Sequence, residues 1–188
     1  QTPIYMDNHA TTPVDPRVLK SMLPYFTEKF GNAASRSHAF GWESEAAVDT
    51  AREQVAKLIH ASSPREIVFT SGATEANNAA INAALRANPV KRHIVTCAAE
   101  HSSVLAYCHA LEKDGYRVSY LGVSRDGLLS LEELESAISK DTALVSLMWA
   151  NSTRPRVFAL SIAAFTTEDC PMPTACSTLR SPEVKDAR

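Results

Sequence analysis

Strand-like and helix-like runs alternate along the chain between about residues 66 and 148. Short apolar runs of strand length are each followed by a longer stretch in which apolar residues recur every three or four positions. Strands are predicted at 66–70, 93–97, 117–123 and 143–148, and helices at 74–87, 103–113 and 132–138. This alternation is typical of an α/β fold with a mainly parallel sheet.

Two further helices are predicted before the alternation begins. Asp15 and Pro16 supply a capping carboxylate and a first-turn proline, so the first of them begins there. The second runs from about Glu43 to Ile59 and has apolar residues spaced for burial on one face. The residues predicted to be buried are Ala47, Val48, Ala51, Val55 and Leu58. A polar, glycine-containing loop, 30–38, separates the two helices.

The character of the sequence changes beyond Asn151. Residues 152–156 are polar and 157–165 are apolar, and no period is visible from 166 to 188, where three of the ten prolines fall. No secondary structure is assigned to this stretch. The predicted organisation is an N-terminal segment at 1–14, a partial large domain at 15–151 and a divergent tail at 152–188.

Composition limits the classes of function. A length of 188 residues suits one domain or a little more, and a net charge of -2 does not indicate a nucleic-acid or membrane partner. No apolar run approaches the ~20 residues that span a bilayer, and no leader opens the chain, so we expect a soluble, cytoplasmic protein. The four cysteines are Cys97, Cys108, Cys170 and Cys176. None forms a C-x-x-C pair, so no metal site is predicted, and Cys97 is expected in the core.

The segment from Thr70 to Glu75 joins a predicted strand to a helix through Gly72. The first amide N–H groups of a helix are unpaired and its dipole is positive at that end, so the segment suits a phosphate. The alternative is a plain helix cap, in which the hydroxyl of Ser71 or Thr74 accepts from those amides.

Two polar residues follow later strands. His101 comes just after the strand at 93–97, at the sheet edge where ligands bind in open α/β folds. An imidazole there can stack on a flat ring or transfer a proton; the alternative is a loop histidine that caps a helix or faces solvent. Asn151 follows the strand at 143–148 in the same way, with a turn asparagine as the alternative.

Several motifs occur in a characteristic order. They are Ile4–Pro16, Phe30–Ser35 with His38 and Gly41, Ile67–Asn78, Ala99–His101, Asp126–Gly127 and Thr142–Ser146. Together they resemble the N-terminal part of cysteine desulfurases, which belong to the class V aminotransferases. The resemblance covers about residues 3–151. It implies the N-terminal half of a fold type I large domain, a three-layer sandwich around a mainly parallel sheet.

The resemblance also implies a cofactor and a reaction. The cofactor is pyridoxal 5'-phosphate, and the reaction takes sulfur from L-cysteine, leaving alanine and a persulfide on an enzyme cysteine. Ala73 and Thr74 would bind the cofactor phosphate, His101 would stack on the ring and take part in proton transfer, and Asn151 would lie near cofactor and substrate. Asn8, His9 and Ala10 would belong to a loop that covers the substrate. A homodimer and a sulfur-acceptor or iron–sulfur scaffold protein are the implied partners.

The sequence departs from the family pattern near its end. Asn151 is followed by Ser152-Thr153-Arg154-Pro155 where the family has N-N-E-x-G. An H-x-D-x-x-Q motif, an S-x-H-K motif with the Schiff-base lysine, and the persulfide cysteine are all missing from the 188 residues. We therefore expect this chain alone to be inactive.

Residues 171–177 suggest an origin for the tail. Their codons, read in a shifted frame, allow His-Ala-Asp-Gly-Val-Gln, so we hypothesise that the tail is family sequence read out of frame; the alternative is a natural divergent tail. Two other interpretations of the whole chain stay open. One is another class V enzyme, such as a selenocysteine lyase or an aminotransferase, and the other is a non-catalytic binding or dimerisation fragment.

Overall fold

The computed structural model describes residues 3–8 and 10–148. They belong to two compact units, one reaching Phe69 and the other beginning at Thr70. Within these described ranges, no helix is both long and apolar enough to cross a membrane.

The first unit is built from helices. They are α1 (Pro16–Met22), α2 (Pro24–Thr27) and α3 (Ala39–Leu58), followed by a 3₁₀ turn (Pro64–Glu66). Asp15 caps α1 as predicted, because its carboxylate accepts the backbone N–H of Arg17 at 2.8 Å. The guanidinium of Arg17 bonds the same carboxylate, and the pair lowers the pKa of Asp15.

Two glycines allow the loop before α3 to pack against the start of that helix. A side chain at Gly41 would collide with the carbonyl oxygen of Ser35, and one at Gly31 would collide with that of Phe40. His38 caps α3, accepting the backbone N–H of Gly41 at 3.3 Å. Both glycines are therefore required by close backbone approach.

The buried face of α3 differs from the prediction. Gly41, Ser44 and Ala56 are its buried residues, whereas Val48 and Leu58 are 37% and 78% exposed. The loop covers the face that carries the small residues Gly41 and Ser44, while Ala47, Ala51 and Val55 of the predicted stripe are half-buried.

The strand predicted at 66–70 does not form, and that prediction is wrong for the described structure. Ile67 is buried, but Val68 and Phe69 are 74% and 52% exposed. A strand needs a neighbour for its backbone hydrogen bonds, and the three-stranded sheet of the described residues does not include this segment. Arg52 holds it instead, donating to the carbonyl of Ile67 and lying 5.1 Å from the ring centroid of Phe69.

The second unit follows the predicted β/α alternation. Its elements are α4 (Ala73–Ala87), β1 (His93–Cys97), α5 (Ser102–Lys113), β2 (Arg117–Leu121), α6 (Leu131–Ala137) and β3 (Thr142–Ser146). The strands are parallel and lie in the order β2-β1-β3. Each differs from its predicted range by no more than two residues at either end, so the predicted α/β class with a parallel sheet is confirmed.

Helices cover both faces of this sheet. On one face, residues of α4 and α5 pack against β1 and β3; they include Ile81, Leu85, Val104, Cys108, Ile94 and Leu144. On the other face, Leu134 of α6 packs with Val95, Cys97, Leu121 and Val145. The second unit is therefore a three-layer sandwich, and Cys97 lies in the core as predicted.

His93 links all three strands from within the core. Its side chain is fully buried; Nδ1 lies 2.9 Å from Thr142 Oγ1 in β3 and Nε2 lies 2.9 Å from Ser119 Oγ in β2. Burial lowers the pKa of His93, and the nearby positive charge of Arg117 lowers it further. The neutral imidazole is consequently the form that the fold stabilises.

We expect the folded chain to lose stability in acid through His93. Because its folded pKa lies below its unfolded value of about 6.5, the stabilisation is present above that value and is lost as pH falls through the folded pKa. Truncation to alanine (His93→Ala) should also cost about 2–5 kcal/mol at neutral pH, because it leaves a cavity and removes two hydrogen bonds between strands. Urea unfolding between pH 5 and 8 measures both effects.

The neutral variant His93→Gln should show a smaller dependence of unfolding free energy on pH than the parent chain. The exposed His60 supplies the control, since His60→Asn keeps a residue that tolerates the left-handed backbone found there, at φ 56°. An unchanged pH dependence in His93→Gln would refute this assignment.

Candidate cofactor site

The topology brings the starts of α4 and α5 to one edge of the sheet. β1 ends at that edge and leads through His101 into α5, while α4 runs back towards the start of β1. The side-chain amide of Asn77, in the second turn of α4, donates to Ser103 Oγ in the first turn of α5 at 3.0 Å. The two helix starts are thus joined directly.

No side chain caps the start of α4. Ser71 gives both its backbone N–H and its hydroxyl to Glu75 Oε2, each at 2.7 Å, and these bonds lower the pKa of Glu75. Thr70 donates its hydroxyl to the carbonyl of Gly72 at 3.1 Å. The alternative of a plain cap by Ser71 or Thr74 is therefore not what the structure shows.

The open start of α4 fits an anionic group. Ala73 and Thr74 are exposed, and a Cβ added at Gly72 would meet no atom within 4 Å. The backbone of Gly72 is extended, at φ 165°, so neither conformation nor packing within this chain requires a glycine there. The space in front of the amides instead leaves room for phosphate oxygens to accept from them.

His101 caps α5 with one edge of its ring. Its Nδ1 accepts the backbone N–H of Ser103 at 3.1 Å and lies 2.9 Å from Ser103 Oγ. The capping alternative is therefore observed, yet the residue stays exposed. Capping occupies only the Nδ1 edge, and the flat faces of an imidazole are the surfaces that stack.

Glu100 was not singled out as a site residue, but it lies between the ends of two strands. Its carboxyl group accepts the backbone N–H of His101, after β1, and of Met148, after β3. Burial nevertheless raises the pKa of Glu100, and its Oε1 is buried without a hydrogen-bond partner among the described residues. The sequence signal that could have identified Glu100 is an acidic residue in the loop that follows a buried strand.

The two described cysteines are poor nucleophiles. Burial raises the pKa of the Cys97 thiol, and it raises that of Cys108 to about 11. Since the thiolate is the reactive form, neither suits the acceptance of sulfur at neutral pH. Within the part of the chain that the structure describes, no group of three or more histidine, cysteine and acidic side chains is arranged to hold a metal.

The other predicted site residues are described only in part. Asn8 and Ala10 are exposed in the N-terminal segment of the first unit, and their role towards substrate stays a prediction. His9, Asn151 and the tail at 152–188 lie outside the described residues, as do Cys170 and Cys176. What the structure does bring together is the start of α4, with Ala73 and Thr74, and His101.

We expect Glu100→Gln to stabilise the chain most at neutral pH. A carboxyl whose folded pKa is raised opposes folding most at pH values above that folded pKa, and the cost shrinks as pH falls through it and is absent below the unfolded pKa of about 4.3. The free energy of unfolding of Glu100→Gln minus that of the parent should therefore be positive at pH 7 and shrink towards pH 4. Denaturant titration at both pH values measures it.

The exposed Glu133 on α6 gives a matched control, because Glu133→Gln removes a carboxylate from solvent. If the unfolding free energy of Glu100→Gln minus that of the parent is the same at pH 7 and pH 4, burial does not set the ionisation of this group.

Comparison with known proteins identifies the family of this chain. The sequence model of the aminotransferase class-V family matches residues 4–159. The cysteine desulfurase IscS of Anaeromyxobacter sp. (strain K) is 58% identical over 151 residues, which is 80% of this chain and 37% of that protein. The cysteine desulfurase of Rattus norvegicus is 56% identical over 151 residues, 80% of this chain and 33% of that protein.

Solved structures give the same result. A NifS-like protein matches with a TM-score of 0.74 and 42% identity, over 80% of this chain and 41% of its own. The structure described as SspA in complex with cysteine matches with a TM-score of 0.68 and 39% identity, over 76% and 41%. This chain thus spans about two fifths or less of the length of these relatives. The fold type I assignment and the resemblance are confirmed, and the chain belongs to the aminotransferase class-V family.

Proposed function

We propose that this chain carries the phosphate-binding and ring-binding portion of a pyridoxal-phosphate-dependent cysteine desulfurase. The observation that supports the proposal is the joining of an uncapped helix start at Ala73 and Thr74 to the exposed imidazole of His101. Relatives named cysteine desulfurase match this chain at 56–58% identity. The substrate is L-cysteine, and the products are alanine and sulfur held on an enzyme thiol.

Each residue of the site has a distinct task in this proposal. The backbone amides of Ala73 and Thr74 and the hydroxyl of Thr74 hold the phosphate, and His101 lies over the pyridine ring. The cofactor, when bound, supplies an electron sink for bonds broken at the substrate. Asn151 lies near the cofactor and the substrate carboxylate, and Asn8, His9 and Ala10 cover the substrate.

The backbone dipole favours an anion at the start of α4. The amide dipoles of its 15 residues leave partial positive charge at this end. The carboxylate of Glu75, in the first turn, is held by Ser71 through two hydrogen bonds. It therefore satisfies Ser71, and the amides of Ala73 and Thr74 stay available to a ligand.

The assembly and partners belong to the same proposal. The protein acts as a homodimer in the cytoplasm and passes sulfur to an acceptor or to an iron–sulfur scaffold protein. The 188 residues by themselves bind the cofactor without turnover, because they contain no S-x-H-K lysine and the two described thiols are buried. The predicted organisation into segments at 1–14, 15–151 and 152–188 remains part of the proposal.

We expect pyridoxal 5'-phosphate to bind the 188-residue chain reversibly at this site. In a titration followed by ¹H–¹⁵N NMR, it should shift the amide signals of Ala73 and Thr74 and the ring signals of His101. Thr74→Ala removes one hydroxyl donor and should weaken binding about 3- to 10-fold, the loss expected for one hydrogen bond of about 1 kcal/mol.

Pyridoxal without phosphate tests the phosphate contact and should bind more weakly than the phosphorylated form. Thr50→Ala, at an exposed helical threonine of the first unit, is the matched variant and should leave affinity unchanged. Equal affinity for the two pyridoxal forms, or shifts confined to other residues, would contradict the assigned site.

Activity can be tested in a chimera. Residues 3–148 of this chain replace the matching segment of the Anaeromyxobacter relative, and alanine formed from L-cysteine is measured. We expect turnover, and a fall of roughly 10²-fold in kcat for His101→Ala, the size of effect typical of a residue that moves a proton. His60→Asn is the control.

A folded, cofactor-loaded chimera that ignores L-cysteine but transfers an amino group or releases selenium would favour another class-V activity. A chimera that folds and fails to retain the cofactor would refute the assignment of the start of α4 to its phosphate.

A further inference from the structure

We propose that Asn77 and Ser103 are positioning residues that fix the tautomer of His101 and couple its ring to the start of α4. The chain of contacts runs from Asn77 Nδ2 to Ser103 Oγ at 3.0 Å and from Ser103 Oγ to His101 Nδ1 at 2.9 Å. The consequence for catalysis rests on the proposed function. The arrangement of protons follows from the contacts of this chain alone.

The backbone of Ser103 decides which ring nitrogen carries the proton. A backbone N–H can only donate, and that of Ser103 points at His101 Nδ1 from 3.1 Å. Nδ1 must therefore offer its lone pair. The neutral ring carries its proton on Nε2, which makes that nitrogen a hydrogen-bond donor.

The hydroxyl of Ser103 adds a second donor to the same nitrogen. Ser103 is 8% exposed, so its hydroxyl depends on partners within the protein. Its oxygen accepts from the amide of Asn77, which leaves its own proton free to point at Nδ1. Both donors share the lone pair of Nδ1 and oppose a ring flip, which would place the Cδ2–H group against them.

Asn77 connects this arrangement to the phosphate-binding turn. It lies three residues after Thr74, so the two side chains are neighbours on the same face of α4. A shift of the start of α4 on binding an anion displaces the Asn77 amide, and the two hydrogen bonds carry that displacement to the ring. Binding of the phosphate and orientation of the imidazole are thereby coupled.

The test uses the 188-residue chain without cofactor, labelled with ¹⁵N in histidine. Long-range ¹H–¹⁵N correlation, at a pH where the ring of His101 is neutral, distinguishes a bare nitrogen from a protonated one. We expect Nδ1 bare and Nε2 protonated. A ring with the proton on Nδ1 would overturn the proposal.

Variants test whether Asn77 acts through Ser103. Asn77→Ala and Ser103→Ala should each shift the ring signals of His101, and the double variant should shift them no further than Ser103→Ala does. Ser102→Ala is the matched control, since Ser102 is the exposed neighbour in the same helical turn, and it should leave the signals in place. An effect of Asn77→Ala that persists in the Ser103→Ala background would refute the coupling.

Two further variants test the same contacts in case Ser103→Ala disturbs the core. Ser103→Thr retains the hydroxyl and should preserve the signals of the parent chain. Asn77→Asp places an acceptor where the amide donates, so the Ser103 hydroxyl turns away from the ring and the Nδ1 signal should move. Absence of a shift in Asn77→Asp would count against the relay.

Adding pyridoxal 5'-phosphate separates this inference from the proposed function. The parent chain should show shifts at Ala73, Thr74 and His101, with the His101 shift reduced in Asn77→Ala. The expected tautomer with no cofactor binding would reject the proposed function and leave the relay standing. Cofactor binding with an unaltered His101 shift in Asn77→Ala would reject the coupling.

Discussion

The parallel direction of β1 and β3 is the constraint on which the candidate site depends. Parallel strands end at one edge of a sheet, so the segments that leave β1 and β3 emerge side by side. His93 reinforces this arrangement from the opposite end, because its ring bonds to both neighbouring strands. Glu100 and the Asn77–Ser103 bond then hold the loops at the carboxyl edge. The sheet thus positions the imidazole, and the Asn77–Ser103 bond joins the amide-rich helix start to it.

The β/α alternation of the second unit was predictable because its signals are local. Ser130 caps α6, accepting the N–H of Glu133 at 3.1 Å, and β1 is buried along its whole length, as the central strand of a parallel sheet should be. The segment at 66–70 carries an apolar run and forms no strand. Apolar composition favours burial of a segment, but a strand also needs a neighbouring strand for its backbone hydrogen bonds. The sequence of one segment does not show whether that neighbour is present. For the same reason the buried face of α3 depended on a loop that packs through Gly31 and Gly41.

The parts of the candidate site that depend on local sequence signals were also predictable. His101 was found from its position after the apolar run of β1, whereas the apolar run before Gly72 forms no strand, and the Asn77–Ser103 bond joins the two places. The roles of Asn77 and Ser103 depend on a contact across 26 positions of sequence, and Glu100 depends on the amide of Met148, still further along the chain. Such long-range contacts leave no periodic trace in a sequence, so only the folded chain shows them.

Because an imidazole caps α5, the cap depends on which ring nitrogen of His101 carries a proton. The nitrogen of His101 that receives the Ser103 amide cannot hold a proton and a cap at once. A second proton on this ring would occupy Nδ1 and so release the first turn of α5 from its cap. The bond that begins the helix therefore also fixes Nε2 as the hydrogen-bond donor of this ring.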